Sequence, residues 1–184
     1  MESGTDRTVR KRPDISALSR KYAVRVLSEA DTESVFALCR ENRLYYEYCP
    51  PFVTPESIRA DMHALPPGKG PEDKYYCGFF DGEQLIAVLD LICGYPGPDS
   101  AFIGFFMTAV LYQHRGISAG IVSELCEGLA EQGFAEIRLG WVKGNPQASS
   151  FWKRNGFTET GLSYDTSLYT VTVARRALRV GPDQ

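Results

Sequence analysis

The stretch from Gln113 to Ala119, which reads QHRGISA, has the residue types of an anion-binding turn. It lies between an apolar run and an amphipathic segment, and the first N–H groups of a helix have no internal acceptor and carry partial positive charge. Gly116 permits a positive φ and lets a phosphate approach the backbone, while Arg115 can add charge-assisted hydrogen bonds. The pattern fits a pyrophosphate. The alternative is an ordinary helix start that contains a glycine and a chance arginine.

The elements that must position this turn follow from the hydrophobic pattern. The apolar run Ala101–Val110 has the length and bulky residues of a buried strand. After the turn, apolar residues recur every fourth position, which predicts a helix over 117–132. A strand over Glu136–Val142 and a short helix starting at Pro146 follow. The turn is therefore expected to join a strand directly to a helix.

The flanking regions supply the remaining elements. Alternation, cap residues and turn residues predict them in chain order. They are a strand over 22–27, a helix that starts after 28–31 and runs to about 48, a helix over 55–65, strands over 75–80 and 83–93 joined by a two-residue turn at Asp81–Gly82, and final strands over 158–164 and 168–174. The resulting order is β, α, α, β, β, β, α, β, α, β, β.

Two linked motifs carry a resemblance to a known family. The first is Q-x-x-G-x-(small) from Gln113 to Ser118, and the second is N-x-x-A-x-x-F-aromatic-x-x-x-G-F from Asn145 to Phe157. In this order, and with the elements above, the chain resembles the GNAT superfamily of acyl-CoA N-acyltransferases over nearly all of 22–174. The resemblance implies an α/β fold whose mixed central sheet is splayed and is flanked by helices on both faces. It also implies acetyl-CoA as the co-substrate and no metal.

The same resemblance assigns the cofactor contacts. Three residues of the central strand would pair their backbone groups with the pantetheine arm: Phe106, Met107 and Thr108. Six residues would cradle the pyrophosphate: His114, Arg115, Gly116, Ile117, Ser118 and Ala119. Asn145 matches the asparagine that the family has beyond the second splayed strand.

Two positions depart from the family pattern. Ser118 stands where the family usually has Gly or Ala, and its small side chain is expected to fit. Trp152 stands where the family often has the tyrosine that protonates the departing thiolate. Because an indole N–H donates hydrogen bonds but does not release its proton near neutral pH, Trp152 would solvate the sulfur without protonating it.

The reaction that the resemblance implies is direct attack of a neutral amine on the acetyl carbonyl. Asp90 is the first candidate for the base, because it is the only charged residue within Leu85–Cys93 and burial would raise its pKa. Glu47 is the second candidate, and Tyr164, near the last hairpin, is a candidate acid. The alternatives are that Asp90 lies on a solvated face or binds a backbone N–H, and that a water chain to bulk solvent replaces all three.

The corner from Leu44 to Phe52 concentrates three tyrosines, Glu47 and two prolines. In the family, the first two helices and their connection form a wall of the acceptor site, and a tyrosine-rich wall with a carboxylate suits a cationic amine. The alternative is that the rings pack the helix end onto the sheet. The corner favours a small-molecule amine as substrate. A peptide or protein amine, and a weakly active domain that senses acyl-CoA, are the competing functions.

Length and composition agree with one domain, since the chain has 184 residues, 43% of them hydrophobic, and a formal net charge of −3. We expect a domain over 22–180 behind a basic arm, 1–21, that need not be ordered. The arm carries six basic and three acidic residues. Because it has no interleaved aromatic residues, we expect neither nucleic acid nor a membrane as a partner. A homodimer is open, because the last strands or the arm could contribute to one.

The cysteines bear on compartment and metal binding. The five cysteines are scattered without a C-x-x-C pair, and the chain has only two histidines. This pattern predicts neither a disulfide framework nor a zinc site. No apolar run is long enough to cross a bilayer, so we expect a cytoplasmic protein with reduced thiols.

Overall fold

Seven segments of alternating or continuous hydrophobicity form one mixed β-sheet in the computed structural model, which describes residues 11–178. The strands are β1 (Ala23–Val26), β2 (Lys74–Asp81), β3 (Gln84–Cys93), β4 (Ser100–Thr108), β5 (Glu136–Val142), β6 (Thr158–Asp165) and β7 (Thr170–Ala177). Their order across the sheet is β1-β2-β3-β4-β5-β7-β6. The β4–β5 pair is parallel, and its neighbours are antiparallel.

Helices cover both faces of the sheet. They are α1 (Thr32–Glu41), α2 (Arg43–Tyr48), α3 (Pro55–His63), α4 (Ile117–Glu131) and α5 (Pro146–Arg154). Successive residues of a strand point to opposite faces, so Val88 and Met107 join a core with α1 and α3, whereas Leu89 and Phe106 face a second core built with α4 and α5. The predicted α/β fold class is confirmed.

The central strands separate partway along their length. The β4–β5 pairing runs only from Ser100–Glu136 to Ile103–Leu139, although both strands continue beyond it. On its other side β4 stays paired with β3, with a β-bulge at Gly104. The space between the diverging ends of β4 and β5 is called the cleft below. The splayed sheet that the family resemblance implied is present.

The first predicted helix is in fact two helices. The helix expected to run to about Tyr48 ends at Glu41, and Asn42 (φ −87°, ψ 57°) separates it from α2. The Asn42 side chain donates to the carbonyl of Leu38 at 3.1 Å. An asparagine that bonds its local backbone in this way competes with helix continuation, and pattern alone did not reveal the break.

The first hairpin turns one residue later than predicted. Asp81 pairs with Gln84, so the two-residue turn is Gly82–Glu83 and not Asp81–Gly82. Gly82 takes φ +60°, which glycine adopts without steric cost. A second irregularity lies between Phe79 and Phe80. Together they change which side chains of β2 lie opposite β3. At the other end of the chain, the last strand also starts later than predicted, at Thr170.

The described part of the N-terminal arm packs against α4. Leu18 is fully buried, and the carbonyl of Ala17 lies so close to Gly128 that a Cβ there would be 2.7 Å away. Arg20 forms ion pairs with Glu127 and Glu131 at 3.1 and 3.0 Å. The expectation that the arm need not be ordered is therefore not met over 11–21. Residues 1–10, and 179–180 of the predicted domain, lie outside the described residues.

Candidate active site

Gly104 is the first residue of β4 beyond the paired segment, and the carboxylate of Asp90 lies against it. A Cβ on Gly104 would be 2.7 Å from Asp90 Oδ2. No other residue type fits there without displacing the carboxylate. Asp90 therefore stands at the apex of the cleft, on the β4 side.

Gly140 is the corresponding residue of β5. A Cβ at this position would be 2.5 Å from Val171 Cγ1 and 3.9 Å from the hydroxyl of Tyr164. The two strands therefore diverge between two glycines, with a carboxylate beside one and a phenol beside the other. The structure brings Asp90 and Tyr164, which are far apart in sequence, to the two sides of one point.

Asp90 belongs to a charged cluster that sequence analysis did not assemble. Its side chain is 13% exposed, and Oδ1 lies 2.7 Å from Nζ of Lys74, which is 5% exposed. Burial raises the pKa of Asp90, Lys74 opposes that rise, and Asp61 on α3 adds to it. Asp61 also has a raised pKa because of desolvation, again opposed by Lys74. The only signal in the sequence was Lys74 as a lone charge heading an apolar strand.

The other two acid–base candidates differ in placement. Tyr164 is 51% exposed on β6, and desolvation of its hydroxyl raises its pKa, with Tyr95 and Cys49 nearby. A phenol with a raised pKa stays protonated at neutral pH and can act only as a donor or acid. Glu47 is exposed on α2 and forms no hydrogen bond or ion pair within residues 11–178. The structure therefore supports a place at the cleft for Asp90 and Tyr164 and shows no such contact for Glu47.

The aromatic corner forms a wall over β4. Tyr45 meets Phe105 edge-on at a centroid distance of 5.6 Å and Tyr46 at 5.0 Å, and Tyr46 meets Phe52 at 5.2 Å. Tyr45 and Tyr46 pack on the core of α1 and α3, so the packing alternative holds for these two rings. The same rings present aromatic surface beside Phe105, which is paired with Asp90.

Cys49 joins this wall to the other side of the cleft. Its thiol hydrogen-bonds with Tyr45 and with Tyr169, which lies in the loop between β6 and β7. The end of α2 and that loop are thus in contact. Burial raises the pKa of the Cys49 thiol, so it is not an activated nucleophile.

The hydrogen-bonding pattern of β4 decides which backbone groups face the cleft. The N–H of Ala109 donates to Ile86 at 2.8 Å. Bonded pairs alternate along an antiparallel ladder, so Met107 is bonded to Val88, whereas Phe106 and Thr108 direct their N–H and C=O away from β3. The expectation that Met107 pairs with the pantetheine arm is therefore not met, because its backbone is committed to β3.

Thr108 is held by two side-chain amides. Its carbonyl accepts from Gln113 Nε2 at 2.8 Å and from Asn42 Nδ2 at 3.3 Å, and Gln113 Nε2 also donates to Asn42 Oδ1 at 2.6 Å. We call Asn42, Gln113 and Thr108 the amide clamp. Ser118 adds a bond from its hydroxyl to Thr108 Oγ1 at 3.0 Å. The clamp ties the α1–α2 break to the end of β4 and to the turn before α4, and it leaves only the N–H of Thr108 for the cleft.

The turn before α4 has the geometry of an anion site. Gly116 is the N-cap with φ +75°, His114 also has a positive φ of 57°, and no side chain caps the helix. The first helical bond near this end runs from Gly120 N to Gly116 O at 2.9 Å. The three preceding N–H groups lie outside the helix's own bonding: Ile117, Ser118 and Ala119. Arg115 is exposed beside them.

The second motif builds α5. Asn145 is the N-cap, and its Oδ1 accepts from Ala148 N at 3.0 Å. Trp152 is 8% exposed, and its ring lies 5.9 Å from Phe106, 5.0 Å from Phe151 and 5.1 Å from Phe157. Both residues therefore have structural roles that account for their burial. Phe106 links Trp152 to the diverging part of β4.

Other kinds of site receive no support within 11–178. No three His, Cys, Asp or Glu side chains are grouped so that they could hold a metal ion. All five cysteines are free thiols. In the same part of the chain, no helix has the length and apolarity needed to cross a membrane.

The cleft, the glycine-capped α4 and the α5 motif define an acetyltransferase fold. The model of the acetyltransferase (GNAT) family matches residues 37–157, more than half of the chain, and the chain belongs to this family. A search of curated protein sequences found no significant match.

Solved structures show the same fold at low identity. An acetyltransferase from Thermus thermophilus is 18% identical with a TM-score of 0.69, over 86% of this chain and 97% of that one. PaiA N-acetyltransferase from Thermoplasma acidophilum, solved with coenzyme A, is 18% identical with a TM-score of 0.61, over 85% and 98%. The ribosomal-protein-S18-alanine N-acetyltransferase of Escherichia coli is 13% identical with a TM-score of 0.61, over 89% and 98%.

Proposed function

We propose that this protein transfers the acetyl group of acetyl-CoA to a primary amine of a small molecule by direct attack. The observation that carries the proposal is the apex of the cleft, where Gly104 and Gly140 leave space between Asp90 and Tyr164. A base and an acid on two sides of one point are what amine attack and thiolate departure require.

The donor would lie along the cleft. The pantetheine arm would bond the outward backbone groups of Phe106 and the N–H of Thr108. The pyrophosphate would lie on the turn and first turn of α4, against His114, Arg115, Gly116, Ile117, Ser118 and Ala119. Asn145 and Trp152 would support this surface from α5, through the N-cap and through Phe106.

The chemical step uses Asp90 as the base. Asp90 takes a proton from the amine, the amine nitrogen bonds to the acetyl carbon, and backbone N–H groups of β4 stabilise the oxyanion. The carbon–sulfur bond then breaks, and the thiolate takes a proton from Tyr164, which regains one from solvent. A thiol has a pKa of about 8.5, so the thiolate is a tolerable leaving group even when this last transfer is slow. Glu47 has no role in this mechanism.

The acceptor side favours a cationic small molecule. Two carboxylates, Asp61 and Asp90, share a single ammonium group from Lys74, and aromatic rings line the wall beside them. The contact between Cys49 and Tyr169 closes the space that an extended peptide would need. The reduced cysteines support a cytoplasmic location, and a homodimer stays a prediction.

The test is release of free thiol from acetyl-CoA with polyamines, amino acids, aminoglycosides and short peptides, with CoA binding measured by calorimetry. Turnover with one class of small amine supports the proposal. Turnover with peptides alone would contradict the small-molecule assignment. Tight CoA binding without turnover would favour an acyl-CoA sensor, and absence of binding would remove the anion site at Gln113–Ala119.

A further inference from the structure

We propose that Lys74 is a positioning residue of the active site, which aims one oxygen of Asp90 at the apex of the cleft and holds the charge of that carboxylate. The inference rests on the proposed function. Nothing in the family motifs points to Lys74, which lies on β2 and does not line the cleft between β4 and β5.

The sheet register brings the two residues together. Lys74 lies opposite Ile92 and Asp90 lies opposite Tyr76, so Lys74 and Asp90 are diagonal neighbours on one face of the β2–β3 ladder. Lys74 Nζ contacts Oδ1 at 2.7 Å, whereas Oδ2 is the oxygen that lies against Gly104. The ion pair thus uses one oxygen and leaves the other at the cleft. This division fixes the direction from which Asp90 can accept a proton.

The pair is shielded from solvent. The Lys74 side chain is only 5% exposed, and Nζ lies 5.8 Å from the ring centroid of Tyr76. A shielded pair is screened little by salt, and loss of one partner leaves an uncompensated charge in a poorly solvated place. Asp90 without Lys74 would therefore take up a proton near neutral pH and cease to act as a base.

Asp61 acts on Asp90 in the opposite sense. The charged or titratable groups that face Asp90 are Lys74 and Tyr76 from β2 and Asp61 from α3. Lys74 favours the ionised carboxylate, and the negative charge of Asp61 disfavours it. Removal of Lys74 and removal of Asp61 should consequently move the titration of Asp90 in opposite directions.

The experiment compares Lys74→Met with Lys74→Arg and Asp61→Asn in the full chain. Asp90 is titrated by carbon-13 NMR of the aspartate carboxyl signals, and its signal is identified by its loss in Asp90→Asn. We expect the midpoint to rise by about one pH unit or more in Lys74→Met, to fall in Asp61→Asn and to stay near wild type in Lys74→Arg. With a reactive amine, Lys74→Met should lose about tenfold or more of its turnover at neutral pH, recover it as the pH is raised, and keep its CoA affinity.

An Asp90 midpoint that stays at its wild-type value in Lys74→Met would overturn the proposal. So would an equal loss of turnover at every pH, because that is the signature of a purely structural role. If Lys74→Met does not fold, the expected fall of the midpoint in Asp61→Asn tests the same electrostatic argument. Midpoints that move as expected in a chain that releases no thiol with any amine would overturn the proposed function and the catalytic part of this inference, but not the ion pair itself.

Discussion

Asp90 presents one oxygen to Lys74 and the other to Gly104, so a single side chain connects the charged cluster to the cleft. Its neighbours explain why it can act as a base when most surface carboxylates cannot. Burial moves its pKa upward toward the useful range, and Lys74 limits that rise. At the residue scale, chemistry is therefore set by the local environment rather than by residue type.

Replacement of Asp90 by Asn should separate catalysis from binding. We expect kcat to fall by about 10²–10⁴-fold, because the amide cannot accept the amine proton, while CoA affinity stays at the wild-type value. Thiol-release kinetics and calorimetry measure the two effects. Glu47→Gln is the matched control and should retain nearly full activity. A dead Glu47→Gln beside an active Asp90→Asn would reverse the assignment of the base.

Gly116 tests the anion site. Gly116→Asp places a negative charge where phosphates are expected and should weaken CoA binding about tenfold or more by calorimetry. Gly116→Asn has nearly the same shape and tolerates the φ of +75° equally well, but it carries no charge. The charge effect is the difference between the two variants. Equal affinities for Gly116→Asp and Gly116→Asn would refute the anion site.

At the scale of elements, the amide clamp connects the two halves of the site. Asn42 interrupts the first helix and donates to both Leu38 and Thr108. Gln113, the first residue of the family motif, accordingly bonds protein groups in this structure. The helix break, the end of β4 and the start of α4 are thus held by side chains of three separate segments.

Loss of the clamp should weaken both stability and donor binding. We expect Asn42→Ala to lower the free energy of unfolding by about 1–2 kcal/mol, measured by urea denaturation, since it removes hydrogen bonds and leaves Gln113 without one partner. CoA affinity should fall severalfold, because the turn before α4 is held less firmly. The exposed neighbour Arg43→Ala serves as control. An Asn42→Ala variant as stable as that control would mean that the clamp contributes nothing.

On the scale of the whole molecule, side-chain contacts fasten the outer elements to the sheet. Residues 11–21 pack along α4, and Arg25 of β1 binds Asp31 at the start of α1 with a distance of 2.7 Å. The bonds from Arg25 and from the backbone of Ser28 lower the pKa of Asp31 to about 2. The corresponding value in an unfolded chain is about 3.9.

This shift predicts a pH-dependent contribution to stability. Because the folded pKa is the lower one, the contribution is present in full above pH of about 4 and is lost as the pH falls toward 2. Arg25 is half-exposed, so we expect Arg25→Met to cost only about 0.5–1 kcal/mol at neutral pH and almost nothing near pH 2. Urea denaturation at several pH values measures it. Arg59→Met, which removes a longer exposed pair with Glu56 at 3.6 Å, should have no measurable effect at any pH.

The sequence by itself determined the order of elements, the glycine-capped start of α4 and the family. Each of these follows from short-range signals: hydrophobic period, cap residues and motif spacing. The two motifs also placed the turn before α4 and the helix after Asn145 correctly. Asp90 stood out as a lone charge in an apolar strand, but nothing local named its partners.

Only the tertiary structure decided those partners. A turn at Asp81–Gly82 would have placed Asp73 opposite Asp90, whereas the observed turn and the irregularity at Phe79–Phe80 place Tyr76 there, with Lys74 diagonal to it. A shift of one residue in a turn moves every cross-strand pair, and one bulge exchanges the faces of a strand. The contact of Cys49 with Tyr169 likewise joins segments that are distant in sequence. Register and long-range packing depend on the whole folded chain, and they determined which side chains surround the candidate base.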